Sequence, residues 1–112
     1  MHWFRCSVCR RPTRWNIQAR MALSPSAGIA IVQENIPQII FLDINMPGVS
    51  GFEVLAYLRR EPRLMQVPVV IVTSDDQPET ARQALSEGAQ AVIIKPVRMD
   101  IMEAVLRKAS LL

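Results

Sequence analysis

The chain contains an apolar run that ends abruptly in a carboxylate, and this run constrains the fold more than any other feature. The run covers residues 39–42 (IIFL) and leads directly into Asp43, with the turn residues Pro47 and Gly48 soon after. A run without alternation of polar and apolar residues is typical of a strand buried on both faces, as in a parallel sheet covered by helices. Such sheets place their chemistry at the carboxyl ends of strands, so Asp43 is predicted to face a crevice.

Two further apolar runs also end in polar side chains. Residues 69–72 (VVIV) lead into Thr73, and residues 92–94 (VII) lead into Lys95. Thr73 follows Asp43 by 30 residues and Lys95 follows Thr73 by 22, which leaves room each time for a loop, a helix and the next strand. If these strands are parallel neighbours, a carboxylate, a hydroxyl and an ammonium group meet at one edge of the sheet. Taken alone, Asp43 could be a turn carboxylate, Thr73 an ordinary strand residue and Lys95 a solvated lysine. Only their common position at strand ends favours a site.

In order and spacing, these motifs resemble those of the receiver domain of two-component response regulators. The matching segments are 42–48 (LDINMPG) with Gly51, 72–74 (VTS) and 95–96 (KP), and the resemblance covers residues 17–112. It implies an α/β fold of the flavodoxin-like, receiver type, which is a doubly wound parallel sheet with helices on both faces. It also implies a cytoplasmic signalling domain and not an enzyme.

The resemblance implies that Asp43 is the phosphoacceptor of a phosphorelay. A histidine kinase or a phosphotransfer protein would donate the phosphoryl group, and a downstream protein partner would respond. Lys95 would place a compact positive charge against the phosphoryl oxygens, and Thr73 would donate a hydrogen bond to one of them. Movement of Thr73 would then turn a local change of charge into a shift of the neighbouring loop and helix.

Members of this family usually bind Mg²⁺ at the site, and the sequence lacks part of the ligand set. The resemblance assigns metal ligation to Asp43, to the backbone carbonyl of Asn45 and to an acidic pair at the end of the first strand. No Asp or Glu precedes Glu34, so this sequence contains no such pair. Because Mg²⁺ requires hard anionic oxygens, we expect Mg²⁺ to bind weakly or not at all.

The segment before residue 17 is also too short for the complete receiver fold. In the family's strand order, 2-1-3-4-5, the first strand lies inside the sheet and its helix covers one face. Residues 1–16 are too few for a buried strand, a crossover helix and a turn, so the first strand and helix are predicted to be missing. The sheet could close around the gap, a second chain could fill it as in a homodimer, or the sequence could be a shortened reading of a longer receiver. A degenerate receiver that binds partners without phosphorylation is therefore the alternative function.

Residues 1–16 differ in kind from the rest and are predicted to form a basic, irregular tail before a receiver-like domain at 17–112. They contain both tryptophans, both cysteines, the only histidine and four arginines. Apolar residues alternate with polar ones over residues 4–8, which would suit a half-exposed edge strand. Cys6 and Cys9 have the spacing of half a zinc site, but together with His2 they fall short of the usual four ligands, so free cysteines are favoured.

Charge and hydropathy argue against nucleic-acid and membrane partners. The net charge of +3 comes from residues 1–20, which hold five arginines and no acid, whereas residues 21–112 have a net charge of −2. No run approaches the roughly 20 apolar residues of a membrane span, and the first residues lack the apolar segment of a signal peptide. The basic tail could touch phosphates or anionic lipid, but a solvated arm is favoured, so we expect protein partners rather than nucleic acid or membrane.

Two helices are predicted around the strand that ends at Asp43. The first begins at Pro25, a proline in the first helical position, and runs to about Asn35. Ser50 and Glu53 are spaced as a capping box that opens the second. The residues of the second helix predicted to face the core are Phe52, Leu55 and Leu58.

Two more helices follow the next two strands. Asp76 and Glu79 are spaced as a capping box for the first of them, and Gly88 is its predicted stop. Capping is favoured over metal binding for both Asp75 and Asp76. The side chains predicted to be buried in this helix are Ala81, Ala84 and Leu85. The last helix begins at Met99 and continues to the end, and its predicted buried stripe is Ile101, Val105 and Leu112, widened by Met102 and Leu106.

Overall fold

The computed structural model describes residues 4–6, 20–22, 25–44 and 50–108 of the chain. Over these residues, helices and strands alternate after two short initial strands. The strands are β1 (Phe4–Cys6), β2 (Arg20–Ala22), β3 (Ile40–Asp43), β4 (Val69–Thr73) and β5 (Ala91–Ile94). The helices are α1 (Pro25–Glu34), α2 (Gly51–Arg60), α3 (Pro78–Ser86) and α4 (Met99–Lys108). None of the helices in this part of the chain has the length and hydropathy needed to cross a membrane.

A single sheet contains all five described strands, in the order β2-β1-β3-β4-β5. β3, β4 and β5 are parallel, with Asp43 opposite Val72 and Thr73 opposite Ile94. Every residue of β3 and β4 is buried, in agreement with the uninterrupted apolar runs. Because parallel neighbours need a crossover connection, which α2 and α3 provide, the carboxyl ends of these three strands lie at one edge of the sheet.

Helices cover both faces of the sheet, which confirms the predicted doubly wound α/β architecture. The core beneath α1, α2 and α3 includes Val32, Leu55, Leu58, Ala84, Ile40, Leu42, Val69 and Ile71. The core beneath α4 consists of Ile39, Phe41, Val70, Val72, Ile93 and Leu106. Successive strand residues point to opposite faces, so each apolar run contributes to both cores.

β1 lies next to β3, where the first strand of a receiver is expected, but it runs in the opposite direction. It is antiparallel to both neighbours, with Phe4 opposite Leu42 and Cys6 opposite Ile40 on the β3 side. The prediction of an edge strand in this segment is wrong, because β1 has a strand on each side and β2 forms the edge. An antiparallel pair needs no crossover helix. A segment too short for a parallel strand and its helix can therefore still place a strand here.

The helix boundaries follow the predicted signals, with one exception. Ser50 caps α2, and its hydroxyl accepts a hydrogen bond from the Phe52 N–H at 3.2 Å. The capping box predicted around Asp76 is wrong, because the N-cap residue of α3 is Gln77. The predicted stop of α3 at Gly88 is confirmed by a φ of 107° at that residue, the left-handed conformation that favours glycine.

The buried sides of α3 and α4 agree with the prediction only in part. Leu85 is 51% exposed and Ile101 is 42% exposed, although the helical period predicts both to be buried. Ala84 in α3 and Leu106 in α4 are buried as predicted, and Met102 and Val105 pack beside Leu106. Apolar residues occupy more than one side of these helices, so the period alone does not select the side that faces the sheet. Leu112 lies outside the described residues.

Candidate functional site

The structure brings Asp43, Thr73 and Lys95 together at the carboxyl edge of the sheet. The Nζ of Lys95 lies 2.6 Å from Oδ2 of Asp43 and donates a hydrogen bond to it. The backbone N–H of Lys95 donates to the carbonyl oxygen of Thr73 at 2.8 Å. Between β3 and β4, the Ile44 N–H donates to the Val72 carbonyl at 3.3 Å, which continues the hydrogen-bond ladder past Asp43.

The ion pair joins a buried carboxylate to a partly exposed ammonium group. The side chain of Asp43 has 0% of its surface exposed, whereas that of Lys95 is 30% exposed. A buried carboxylate is costly unless a hydrogen-bonded countercharge accompanies it, and charge-assisted hydrogen bonds are among the strongest in proteins. Lys95 supplies that charge from just beyond β5, so the pair is closed on the Asp43 side and open to solvent on the Lys95 side.

The hydroxyl of Thr73 belongs to a hydrogen-bond chain that continues into α3. Thr73 is fully buried, and its Oγ1 accepts a hydrogen bond from the Asp75 N–H at 3.0 Å. The Asp75 carboxylate accepts from the Thr80 hydroxyl at 2.6 Å and from the Gln77 N–H at 2.9 Å. The hydrogen bond from Thr80, followed by that from Gln77, lowers the pKa of Asp75 below its ordinary value.

The sequence pattern indicates only part of this chain of contacts. A capping role is predicted for Asp75, and its bond to the Gln77 N–H is a contact of that kind. Its contacts with Thr73 and Thr80 do not follow from any capping-box spacing. One feature of the sequence could have indicated the contact between Asp75 and Thr80: Thr80, a hydroxyl residue in the first turn of α3, follows Asp75 by five residues.

A glycine holds the start of α2 against the residue that follows Asp43. A Cβ at Gly51 would lie 2.3 Å from Cα of Ile44 and 2.6 Å from its Cγ2. The Gly51 N–H also donates to the Ile44 carbonyl at 3.4 Å. Only a residue without a side chain allows so close an approach. Gly51, part of the motif recognised in the sequence, therefore positions the backbone next to Asp43.

Residues 9–107 match the family described as response regulator receiver domain. The chain belongs to the response regulator receiver family. The matched range includes all three strand ends of the site, so the resemblance drawn from the motifs is confirmed.

Two curated receiver relatives are much longer than this chain. AfsQ1, a transcriptional regulatory protein of Streptomyces coelicolor, is 30% identical over 95 residues, which cover 85% of this chain and 41% of that protein. The response regulator PleD of Caulobacter vibrioides is 35% identical over 81 residues, covering 72% of this chain and 18% of that protein. The chain thus spans less than half the length of either relative.

Solved receiver structures have the same fold. The chemotaxis protein CheY4 of Vibrio cholerae superposes with a TM-score of 0.72 at 24% identity, over 79% of this chain and 73% of that chain. The receiver domain of NtrX from Brucella abortus superposes with a TM-score of 0.69 at 28% identity, over 76% of this chain and 71% of that chain. The receiver-type fold predicted from the motifs is therefore confirmed.

Receivers generally bind Mg²⁺ in an acidic pocket, and the described residues of this receiver do not supply a donor set that fits that ion. The carboxyl end of β1 is Cys6, which pairs with Ile40 at the opposite edge from Asp43, and residues 1–33 contain no acid. Within the described ranges, no cluster of three or more His, Cys, Asp and Glu side chains could hold a metal. Asp43 offers one carboxylate, already paired with Lys95, whereas Mg²⁺ needs an octahedral shell of hard oxygens.

Three residues named as candidate ligands fall in segments that the structure leaves undescribed. Asn45, the source of the expected backbone carbonyl, lies outside the described residues, as do His2 and Cys9 of the candidate zinc site. Their roles stay predictions.

Proposed function

We propose that the chain is a phosphoacceptor receiver domain of a two-component phosphorelay and that Asp43 is the residue phosphorylated. The observation that carries this proposal is the 2.6 Å ion pair between Asp43 and Lys95, at a sheet edge that Thr73 also reaches. Such a site combines a nucleophile, a countercharge and a hydroxyl donor for a phosphoryl group. Membership of the receiver family supports the same assignment.

Phosphoryl transfer would form a bond between a carboxylate oxygen of Asp43 and phosphorus. In the same step the bond from phosphorus to the donor breaks, and the donor's leaving atom keeps the electron pair. That atom is the imidazole nitrogen of a phosphohistidine or the carboxylate oxygen of a small acyl phosphate. Lys95 then offsets the charge on the new acyl phosphate, and the Thr73 hydroxyl donates a hydrogen bond to one of its oxygens. Because the phosphoryl group stays on the protein, the chain acts as a switch and not as an enzyme.

The proposed partners are proteins. A histidine kinase or a phosphotransfer protein supplies the phosphoryl group, and a downstream protein responds to it, in the cytoplasm. The argument for a homodimer rests on an open place in the sheet, and β1 occupies that place. No homodimer is therefore proposed.

Intact-protein mass after incubation with acetyl phosphate tests the proposal. We expect one phosphoryl adduct on the wild-type chain and none on Asp43→Asn, with circular dichroism showing that both are folded. Lys95→Ala keeps the nucleophile but should lower the adduct yield. The matched control is Arg98→Ala, which removes a cation that is 72% exposed and pairs with Asp100 instead. A folded wild-type chain that gains no mass would contradict the proposal.

A degenerate receiver that binds a partner without phosphorylation is the second candidate. It is favoured by the direction of β1, whose carboxyl end lies at the opposite edge from Asp43 and so brings no acid to it. This alternative predicts a folded chain with no adduct and a partner affinity that is the same for wild type and Asp43→Asn.

A further inference from the structure

Asp75 lies between the Thr73 hydroxyl and the first turn of α3 and makes hydrogen bonds in both directions. Its backbone N–H donates to Oγ1 of Thr73 at 3.0 Å. Its two carboxylate oxygens accept from different groups of the helix start, Oδ1 from the Gln77 N–H at 2.9 Å and Oδ2 from the Thr80 hydroxyl at 2.6 Å. One residue thus joins the end of β4 to the beginning of α3.

The start of α3 depends on this carboxylate because its own N-cap side chain provides no cap. Gln77 makes no side-chain hydrogen bond to the helix, and Pro78 occupies the first helical position. The carboxylate of Asp75 also lies at the positive end of the helix dipole, where a negative charge is favourable. Loss of the carboxylate would remove the acceptor of both the Gln77 N–H and the Thr80 hydroxyl.

The other end of the link is the Thr73 hydroxyl, which would donate its proton in a hydrogen bond to a phosphoryl oxygen on Asp43. A hydroxyl has one proton and two acceptor lone pairs, and the Asp75 N–H uses one of those lone pairs. A displacement of Oγ1 toward a phosphoryl group on Asp43 changes the distance and angle of that bond. Hydrogen bonds weaken steeply with misalignment, so the Asp75 N–H must follow the hydroxyl or lose its acceptor.

We propose that Asp75 is a positioning residue that ties the Thr73 hydroxyl to the first turn of α3 and transmits displacement of that hydroxyl to the helix. The inference rests on the proposed function where the phosphorylated state is concerned, whereas the link itself belongs to the unmodified chain. The lowered pKa of Asp75 agrees with this role, because the hydrogen bonds from Thr80 and Gln77 that form the link stabilise the ionised carboxylate.

Amide hydrogen exchange in a double-mutant cycle tests the link without phosphorylation. Thr80→Val and Thr73→Val each remove a hydroxyl and keep a branched side chain. Thr80→Val should make the amides of Gln77 and residues 79–82 exchange roughly fivefold faster, the change expected for one hydrogen bond. Thr73→Val should also speed these amides, and the double variant should add little to the larger single effect, because both substitutions act on the same path through Asp75.

Two variants control for a general loss of structure. Thr80→Ser keeps the hydroxyl and should exchange as the wild type does. Ser86→Ala removes a hydroxyl at the other end of α3, where it donates to the Gln83 carbonyl at 2.9 Å, and should leave the first turn unchanged. The amides of α2 report on global stability in every variant.

Unchanged first-turn exchange in Thr80→Val, or additive effects in the double variant, would overturn the proposal.

A second arm repeats the measurement with acetyl phosphate. In the wild type, exchange should change at residues 74–77 and at 79–82, but in Thr80→Val only at 74–77; a change at 79–82 in both would overturn transmission through Asp75. If no adduct forms on Asp43, the proposed function fails, and the cycle on the unmodified chain still decides the role of Asp75.

Discussion

Lys95 supplies a countercharge to a carboxylate that has no exposed surface, so the pair is sensitive to the loss of one member alone. Lys95→Met removes the ammonium group and leaves Asp43 buried with its negative charge. We expect the free energy of unfolding to fall by about 3 kcal/mol, the lower end for breaking a buried pair, because solvent reaches part of Lys95. Urea unfolding followed by circular dichroism measures the change.

The double variant Asp43→Asn with Lys95→Met should recover most of this loss, because neither side chain then carries a charge. The surface control is Arg107→Met, which breaks an exposed pair with Glu103 and should cost less than about 1 kcal/mol. A Lys95→Met chain as stable as Arg107→Met would show that the Asp43 charge is compensated by other groups.

At the residue scale, the proximity of Asp43, Thr73 and Lys95 could be predicted, because each lies at the end of an apolar run and parallel strands bring such ends together. The contacts of Asp75 could not be predicted, since they depend on how residues 74–77 turn and not on a fixed spacing. Arg59 is a similar case. Its guanidinium donates to the carbonyls of Met65 and Val67, a reach that no motif encodes.

At the scale of the elements, the end of α3 requires glycine for two separate reasons. Gly88 has a φ of 107°, and the amides of Gly88 and Ala89 donate to the carbonyls of Leu85 and Ala84 at 3.2 and 2.9 Å, the Schellman pattern. A Cβ at Gly88 would also lie 2.9 Å from Cδ of Arg59. We expect Gly88→Ala to lower the free energy of unfolding by about 2 kcal/mol, since it combines left-handed strain with displacement of Arg59.

Gly88→Asn separates the two causes in the same urea experiment. Asparagine tolerates the left-handed conformation better than alanine but has the same Cβ, so it should lose less stability than Gly88→Ala. Equal losses would mean that contact with Arg59, and not the positive φ, dominates.

Helix ends could be predicted because glycine, proline and serine have fixed backbone preferences. The buried sides could be predicted only in part, as the exposed Leu85 and Ile101 show. Both residues fit an apolar helical stripe, yet both are exposed. Which part of a wide stripe packs on the sheet depends on the positions of the strands, and the helical period does not contain that information.

At the scale of the whole molecule, the parallel order of β3, β4 and β5 follows from apolar runs separated by helices. The direction of β1 could not be predicted, because a three-residue strand carries almost no pattern. Residues 1–16 are too few for a strand with a crossover helix, but an antiparallel strand needs no such helix. The division of the chain at residue 16 stays a prediction, since residues 7–19 lie outside the described ranges.

The direction of β1 also determines which charges surround Asp43. A strand parallel to β3 would end beside Asp43 and could supply carboxylates there, whereas β1 begins at that edge, with Phe4 opposite Leu42. Any Mg²⁺ ion would have to compete with Lys95 for a single carboxylate. We therefore expect EDTA to leave the yield of acetyl phosphate labelling on Asp43 unchanged relative to millimolar Mg²⁺.

Titration with Mn²⁺, a paramagnetic substitute for Mg²⁺, gives a readout that does not depend on phosphorylation. In the wild type, the NMR signals of Ile44 and Ser74 should broaden no more than those of α1. Lys95→Met removes the competing ammonium group, so selective broadening should appear in that variant and vanish when Asp43→Asn is added. Selective broadening in the wild type would mean that the undescribed segment with Asn45 completes a metal site. We expect Lys95 to exclude the ion, because an ammonium group already held at 2.6 Å competes with a cation that gives up its water reluctantly.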